Sequence, residues 1–278
     1  MGSLLYVTDL GYQARGRRYC DEDIWLSGRL REEFDLALVH PLDAAALIDR
    51  FDSVVVRNSG PVLHYQEAYD HFRAAALAAG TRMFNSLTGK GDMAGKEYLL
   101  HLSREGFPVI PTAGYREEFA RLPKADEYVV KPLLGADSVG LRFVDGADLA
   151  DVDPAGMLVQ PRIPFTYEVS FYFVGRDFQY ALHAPDPEAR WVLRPYEPTG
   201  PDLEFARRFV DWNDLPYGIQ RVDACRAPDG ELLLVELEDL NPYLSLDLVG
   251  EAERERFVAA MTSSLRELLR EPRAAAGR

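Results

Sequence analysis

The chain has 278 residues, 47% of them hydrophobic, and a formal net charge of −14 at pH 7. That length supports one large core or two to three smaller lobes, and the acidic balance argues against nucleic-acid or membrane-surface partners, which are held by clustered Lys and Arg. No run approaches the roughly 20 apolar residues of a spanning helix, the start MGSLLYVTDL lacks the features of a signal peptide, and Cys20 and Cys225 match no metal or disulfide spacing, so the expectation is a cytoplasmic protein.

The first part alternates apolar runs with helix-like segments: SLLYVTD (3–9), a helix from about Asp21, DLALVH (35–40), DAAALIDRF (43–51), SVVVRNSG (53–60) and HYQEAYDHFRAAALAAG (64–80). This is the βαβ pattern of a parallel sheet, expected to form a domain over residues 1–84. Gly80 is placed to end a helix, and TRMFNS reads as a short strand. RNSGP lies at a strand end, where ligands of α/β folds bind, so Arg57, Asn58 and Ser59 are candidates for holding an amino-acid carboxylate. A turn with a capping Asn is the equal alternative. Thr8, Asp9 and the Arg-rich loop 15–18 are weaker candidates at the first strand's end.

NSLTGKGD imitates a phosphate-binding P-loop but is not one. Phe84 occupies the first glycine position, and Lys90 is followed by Gly91 rather than Ser or Thr. Lys96 is the better candidate cation, in a helical segment MAGKEYLLHLSREG with apolar Met93, Leu99, Leu100 and Leu102, although taken alone it reads as a solvated helix lysine. The apolar FPVIPT follows.

From about residue 126 the texture changes to short strands: EYVVKPLL, SVGLRFVDG, MLVQPRI, YEVSFYFVG, RDFQYALHA and RWVLRPY. Lys131 ends the first of these, before a turn containing Gly135, Ser138 and Gly140. A buried lysine needs an anion, and glycines let backbone N–H groups approach phosphate oxygens; an ordinary hairpin with an exposed lysine is the alternative. Gln160, Pro161, Arg162 and Ile163 leave one strand and Glu168 re-enters another. Backbone groups in such a connection read an adenine edge, and a carboxylate soon after accepts ribose hydroxyls. A helix is expected near 201–211 and another over about 251–270, with a loose tail at 271–278.

The hairpin GIQRVDACRAPDGELLLVELEDL carries the densest chemistry. With Pro228 and Asp229 as its turn, Arg221 falls opposite Glu236, and alternation places Arg221, Asp223, Glu236 and Glu238 on one face. The other face reads Val222, Ala224, Leu233, Val235 and Leu237. Leu232 and Leu234 then share the charged face, so the hairpin reads as buried on both sides; a solvated edge hairpin whose charges face water is the alternative. Three carboxylates there repel one another unless a divalent cation binds between them, and Mg²⁺ completed by nucleotide phosphates suits them.

Taken in order, Lys96, VVKPLLGADSVG, the Gln160 connection with Glu168, and RVD with VELEDLNP resemble the ATP-grasp superfamily. They are most similar to D-alanine–D-alanine ligase, glutathione synthetase and the ribosomal-protein-modifying glutamate ligases. The resemblance covers roughly residues 80–250. It implies an α/β protein in which the parallel βαβ domain precedes two α+β lobes, 85–160 and 161–270, that hold ATP between them. It further implies Lys96 and Lys131 on the nucleotide phosphates, Gly135 to Gly140 as a flexible cover including Ser138, Gln160 and Ile163 at the adenine, and Glu168 at the ribose. Arg221 would serve an acyl phosphate, with Asp223 and Glu236 on two Mg²⁺ ions, for which Mn²⁺ is a substitute. Where many members read E-x-N, this chain reads Glu236-Leu-Glu238, so Glu238 or Asn241 completes the second metal's shell. Arg190 and Arg194 stand in weakly for a further phosphate cation.

The reaction implied is ADP-forming amide synthesis between a small-molecule carboxylate and an amine, of amino-acid, peptide or γ-glutamyl type, with no side-chain nucleophile. A small-molecule kinase and a non-catalytic ATP-binding regulatory module are the alternatives. Similar enzymes are commonly homodimers.

Overall fold

The computed structural model describes residues 2–14, 17–58, 62–134 and 140–272. Ser59, Gly135, Ser138, part of the loop 15–18 and most of the tail therefore lie outside the described residues.

The N-terminal strands β1 (Ser3–Val7), β4 (Asp35–Val39), β5 (Ser53–Val56) and β6 (Met83–Phe84) form a parallel sheet in the order β4-β1-β5-β6. Two-residue strands β2 (Gln13–Ala14) and β3 (Arg17–Arg18) pair between β1 and helix α1 (Cys20–Leu30). The run SVVV of β5 is buried throughout, as a parallel strand covered on both faces must be. Leu5, Val7, Val54 and Val56 pack against Tyr69, Phe72 and Ala76 of α2 (Gln66–Ala78). Gly80, at φ 60°, closes that helix in the left-handed conformation that glycine adopts without a Cβ clash. Residues 43–51 form two separate 3₁₀ turns, Ala44–Ala46 and Ile48–Arg50, rather than one helix.

After Gly95, at φ 88°, comes α3 (Tyr98–Arg104), shorter than its apolar pattern suggests. Strands β7 (Glu127–Pro132), β8 (Arg142–Asp145) and β9 (Met157–Pro161) make an antiparallel sheet in the order β8-β7-β9. Residues 162–166 then lead to a second antiparallel sheet. It comprises β10 (Tyr167–Val174), β11 (Asp177–Ala184), β12 (Arg194–Tyr196), β13 (Ile219–Arg226) and β14 (Leu232–Glu238), ordered β12-β11-β10-β13-β14. Helix α4 (Gly200–Asn213) starts in a capping box between Thr199 and Asp202 and lays Phe205, Phe209 and Val210 on this sheet with the apolar side of α3. Val109 bridges to Leu234 of β14 and Ala113 to Val159 of β9, so the segment containing FPVIPT stitches the two antiparallel sheets together.

The last helix, α5 (Glu251–Arg270), buries Phe257, Met261, Leu265 and Leu268 among Leu4 and Tyr6 of β1, Leu26 and Leu30 of α1, and Tyr172 and Tyr180 of the five-stranded sheet. The parallel sheet and the C-terminal sheet thus share one core. Each such side chain removed from water contributes about 1.5–3 kcal/mol. Among the described residues no helix is long and apolar enough to cross a membrane.

Candidate active site

The hairpin β13–β14 brings together the residues expected of it, but in a different register. Arg221 pairs with Glu238 and Asp223 with Glu236, whereas Ala224 pairs with Leu234 and Arg226 with Leu232. The turn is one residue longer than a two-residue loop, since Ala227 N–H donates to the Glu231 carbonyl, and a bulge between Asp223 and Ala224 leaves Val235 without a cross-strand partner. The bulge flips the alternation. Leu232, Leu234 and Leu237 therefore join Val222 and Ala224 in the core, while Arg221, Asp223, Glu236 and Glu238 share the other, half-buried face. The expected two-sided burial, with Leu232 and Leu234 on the charged face and Leu233 and Val235 in the core, is corrected by that single extra residue.

On this face Arg221 is the hub. Its Nε and one terminal nitrogen bind Asp223 at 2.9 and 2.8 Å, the same nitrogen binds Glu238 at 2.5 Å, and the other donates to the Tyr243 carbonyl at 3.0 Å. Burial opposes the guanidinium charge, yet Asp223 and Glu238 outweigh it and raise the Arg221 pKa. Ser170 of β10 donates to Asp223 at 2.6 Å, a contact the sequence pattern did not reveal. Lys96 lies in the turn before α3, not within a helix, and its ammonium pairs with Glu236. Burial lowers its pKa against the pull of Asp92, Glu238 and Asp223. Glu238 is pushed up to about 8, chiefly by burial, with Arg221 opposing and Asp223 and Asp92 adding to the rise.

The segment NSLTGKGD does wrap an anion, and that anion is the protein's own. Gly91 and Met93 donate backbone N–H groups to the Asp239 carboxylate at 2.9 and 2.8 Å, and Asn213 adds a third donor at 3.0 Å. Asp92 returns the grip by accepting from the Asp239 and Leu240 N–H groups at 2.7 and 3.0 Å. A Cβ at Gly89 would sit 2.2 Å from the Asp239 carboxylate, and one at Gly91 would sit 2.6 Å from the Leu237 carbonyl. These glycines are required by close approach to the strand that carries Glu236 and Glu238. Asn85 completes the clasp, donating to the Asp239 and Ile219 carbonyls at 2.6 and 2.8 Å.

Lys131, at the end of β7, has its pKa lowered to about 7 by burial and by Lys96 and Arg190. Gly140 stands at φ 77°, beside Pro132. Gln160 is buried in β9 with its amide donating to Thr112 at 2.8 Å, so its side chain is turned inward, while Ile163 lies in the connection between the two sheets. Glu168 pairs with Arg190 at 2.6 Å, and burial raises its pKa. Arg194 is exposed on β12, opposite His183.

The strand-end candidates are corrected. Arg57 is 3% exposed, and its guanidinium is taken up by Asp23 at 2.9 Å, Glu22 at 2.8 Å and the Pro242 carbonyl at 2.8 Å. With each of its three nitrogens already partnered, it ties the parallel sheet to the loop after β14 instead of presenting itself to a carboxylate. Asn58, at φ 44°, is equally buried, and its carbonyl accepts from Asn241 at 3.1 Å. Of the weaker candidates, Thr8 donates to Asp23 at 2.7 Å and Asp9 accepts the N–H groups of Gly11 and Tyr12 at 2.7 and 3.1 Å.

Among the described residues no three or more His, Cys, Asp or Glu side chains converge as a metal shell. Arg221 bridges Asp223 and Glu238, and Lys96 pairs with Glu236. The donor set nevertheless fits a hard cation: Asp223, Glu236 and Glu238 offer only oxygens, and Glu238, raised to about 8 chiefly by burial and further by Asp223 and Asp92, is a carboxylate that a bound cation would stabilise.

No family model and no curated protein matches the sequence. Solved structures do. The chain is similar to the D-cycloserine synthetase DcsG at 22% identity and a TM-score of 0.74, over 95% of this chain and 100% of that one. It is similar to a Chryseobacterium gregarium RiPP-associated ATP-grasp ligase, solved with ADP and a leader and core peptide, at 15% identity and a TM-score of 0.66 over 98% of each chain. The D-alanine–D-alanine ligase from Bacillus anthracis, complexed with ATP, matches at 12% identity and a TM-score of 0.66, over 97% of this chain and 99% of that one.

Proposed function

We propose, from the premise that this chain has the ATP-grasp fold, that it is an ATP- and Mg²⁺-dependent ligase joining the carboxylate of an amino acid to an amine through an acyl phosphate. The observation that carries the reading is Arg221 held between Asp223 and Glu238, with Lys96 on Glu236 beside them. Cations and carboxylates gathered in one half-buried place suit a phosphoryl group that must be both bound and moved.

In this reading residues 1–84 form the preceding domain, and 85–160 and 161–270 are the lobes that hold ATP between them. Lys131 and Lys96 take the phosphates, with Gly140 nearby and Arg194 as a more remote cation. The backbone around Gln160 and Ile163 takes the adenine, and Glu168 takes the ribose. Asp223, Glu236 and Glu238 would hold Mg²⁺, which when bound neutralises charge on the phosphoryl group in transit. Asn241, whose amide nitrogen donates to the Asn58 carbonyl, is the alternative third ligand through its amide oxygen.

Arg221 orients and stabilises the acyl phosphate, drawing on the electrostatic excess that keeps it charged. With Mg²⁺ bound, Glu236 would be a metal ligand and Lys96, now paired with it, would be available to a phosphate oxygen. No side-chain nucleophile is involved; the amine attacks the acyl carbon and phosphate leaves.

The test is ADP release from ATP with pooled amino acids, followed by mass spectrometry of the products. An amide alongside ADP is expected. ADP with a phosphorylated product and no amide identifies a kinase and overturns the ligase reading.

A further inference from the structure

The three carboxylates of the β13–β14 face are not held alike. Glu236 is paired with Lys96 and Glu238 with Arg221, so each is held by a cation. Asp223 has Arg221 on both of its oxygens, at 2.9 Å to Oδ1 and 2.8 Å to Oδ2, and its Oδ1 also accepts from the Ser170 hydroxyl at 2.6 Å. Among the described residues, Ser170 is the one neutral side chain that donates to any of the three.

The sheet puts it there. Ser170 of β10 and Asp223 of β13 are direct cross-strand partners, with Tyr172 opposite Arg221 on one side and Glu168 opposite Cys225 on the other. Val169 and Phe171, of the opposite parity, lie in the core that α4 covers. Opposed side chains stand roughly 5 Å apart at Cβ, a gap that a serine hydroxyl and a carboxylate close between them. At 2.6 Å the contact lies in the range of charge-assisted O–H···O⁻ bonds, which are stronger than neutral ones.

Charge decides which of these ties outlasts the arrival of a cation. Lys96 and Arg221 are repelled by any Mg²⁺ placed among the carboxylates, and the proposed reaction draws both toward phosphate oxygens. A hydroxyl carries no net charge, so it keeps donating to one carboxylate oxygen while the other faces a metal. We infer that Ser170 is the positioning residue for Asp223: it anchors Oδ1 and leaves Oδ2, held among the described residues by Arg221 alone, to the metal. Partners that orient a metal ligand from behind are worth about 10–100-fold in metal affinity. The inference rests on the reading of Asp223 as an Mg²⁺ ligand.

The experiment follows metal binding apart from turnover. Mn²⁺ is titrated into the full chain with ADP present, and free Mn²⁺ is read by electron paramagnetic resonance. Ser170→Ala raises the Mn²⁺ Kd by about tenfold or more. Its affinity for ADP in EDTA stays within about twofold of wild type, and the metal-free protein melts within about 4 °C of wild type, because Arg221 still holds Asp223 there. Ser170→Thr keeps the hydroxyl on a β-branched side chain suited to a strand and returns the Kd to within about threefold of wild type. Asp223→Asn, which removes the ligand charge itself, weakens Mn²⁺ binding at least as much as Ser170→Ala.

Unchanged Mn²⁺ affinity in Ser170→Ala overturns the inference, as does a Thr variant as weak as the Ala variant. Parallel losses of Mn²⁺ affinity, metal-free ADP affinity and melting temperature in Ser170→Ala would mark a purely structural serine and overturn it too. The readings fail separately. Wild-type Mn²⁺ affinity in Asp223→Asn removes Asp223 from the metal site and the role of Ser170 with it, whereas weak binding by Asp223→Asn beside an unchanged Ser170→Ala removes Ser170 alone. Mn²⁺ binding that follows the expected order, with no amide formed under any condition, removes the ligase and keeps the anchor.

Discussion

Arg221 and Glu238 face each other across β13 and β14, with a guanidinium nitrogen 2.5 Å from the carboxylate. Glu238, like Asp223, is therefore tied directly to the proposed phosphoryl centre, whereas Asn241 reaches back to the Asn58 carbonyl after β5. Glu238→Ala is expected to reduce kcat by roughly a hundredfold and to raise the Mg²⁺ concentration needed for half-maximal rate, on the scale of losing one electrostatic partner of a transition state. Asn241→Ala is expected to change kcat less than about fivefold. Equal losses in the two variants would show that the ligand assignment is wrong.

Glu236→Gln should abolish turnover and leave the protein folded. Gln can still accept from Lys96, and Asp92, Glu238 and Asp223 continue to surround that ammonium. Circular dichroism melts should agree with wild type to within about 4 °C, the shift expected of a sub-kcal/mol change in a chain of this size. Full activity in this variant removes Glu236 from the metal site.

Lys131 makes a pH prediction. Its pKa of about 7 in the free protein reflects burial beside Lys96 and Arg190. A bound phosphate raises that value again, so nucleotide binding takes up a proton between pH 7 and the ordinary lysine range. Affinity consequently falls as pH rises from 7 toward 9. Calorimetry at pH 8 in two buffers of different ionisation enthalpy should show uptake smaller by roughly one proton in Lys131→Met than in wild type. Identical uptake in both would place Lys131 away from the phosphates.

Periodicity and residue type made the alternation of strands and helices legible, and the charged hairpin with them, because those depend on local pattern. The cross-strand register was not legible. ELLLVEL has apolar residues at both parities, so nothing local distinguishes a regular ladder from one with Val235 bulged out. Arg57 was misread for a different reason: its partners Glu22, Asp23 and Pro242 come from far along the chain. The clasp around Asp239 had a visible signal, the two glycines of TGKGD, but a motif cannot say which anion its N–H groups will meet.

That clasp predicts opposite outcomes for two glycine substitutions. Gly91→Ala drives a methyl to within 2.6 Å of the Leu237 carbonyl and 3.0 Å of the Asp239 carboxylate carbon. It should cost about 2–4 kcal/mol and lower kcat by shifting β14. Gly28, in α1, has nothing within 4 Å of an added Cβ. Gly28→Ala should stabilise by roughly 0.5–1 kcal/mol through helix propensity, without touching activity. Urea denaturation of both variants measures the contrast, and a Gly91→Ala protein as stable and active as wild type would sink the clasp.

Arg57 separates a structural tie from a substrate contact. Its guanidinium is held charged against burial by Asp23 and Glu22, and it reaches across to the Pro242 carbonyl, next to the Tyr243 carbonyl that receives Arg221. Arg57→Met strands two buried carboxylates, one of which also accepts from Tyr6 and Thr8. The loss should be about 3–5 kcal/mol, the range for breaking one side of a buried ion pair. The residual activity, measured on the folded fraction, should show a fall in kcat with little change in KM, because what moves is the loop that positions Arg221. A KM raised tenfold or more at unchanged stability would return Arg57 to the substrate, since only a residue contacting the ligand loses affinity without loosening the fold.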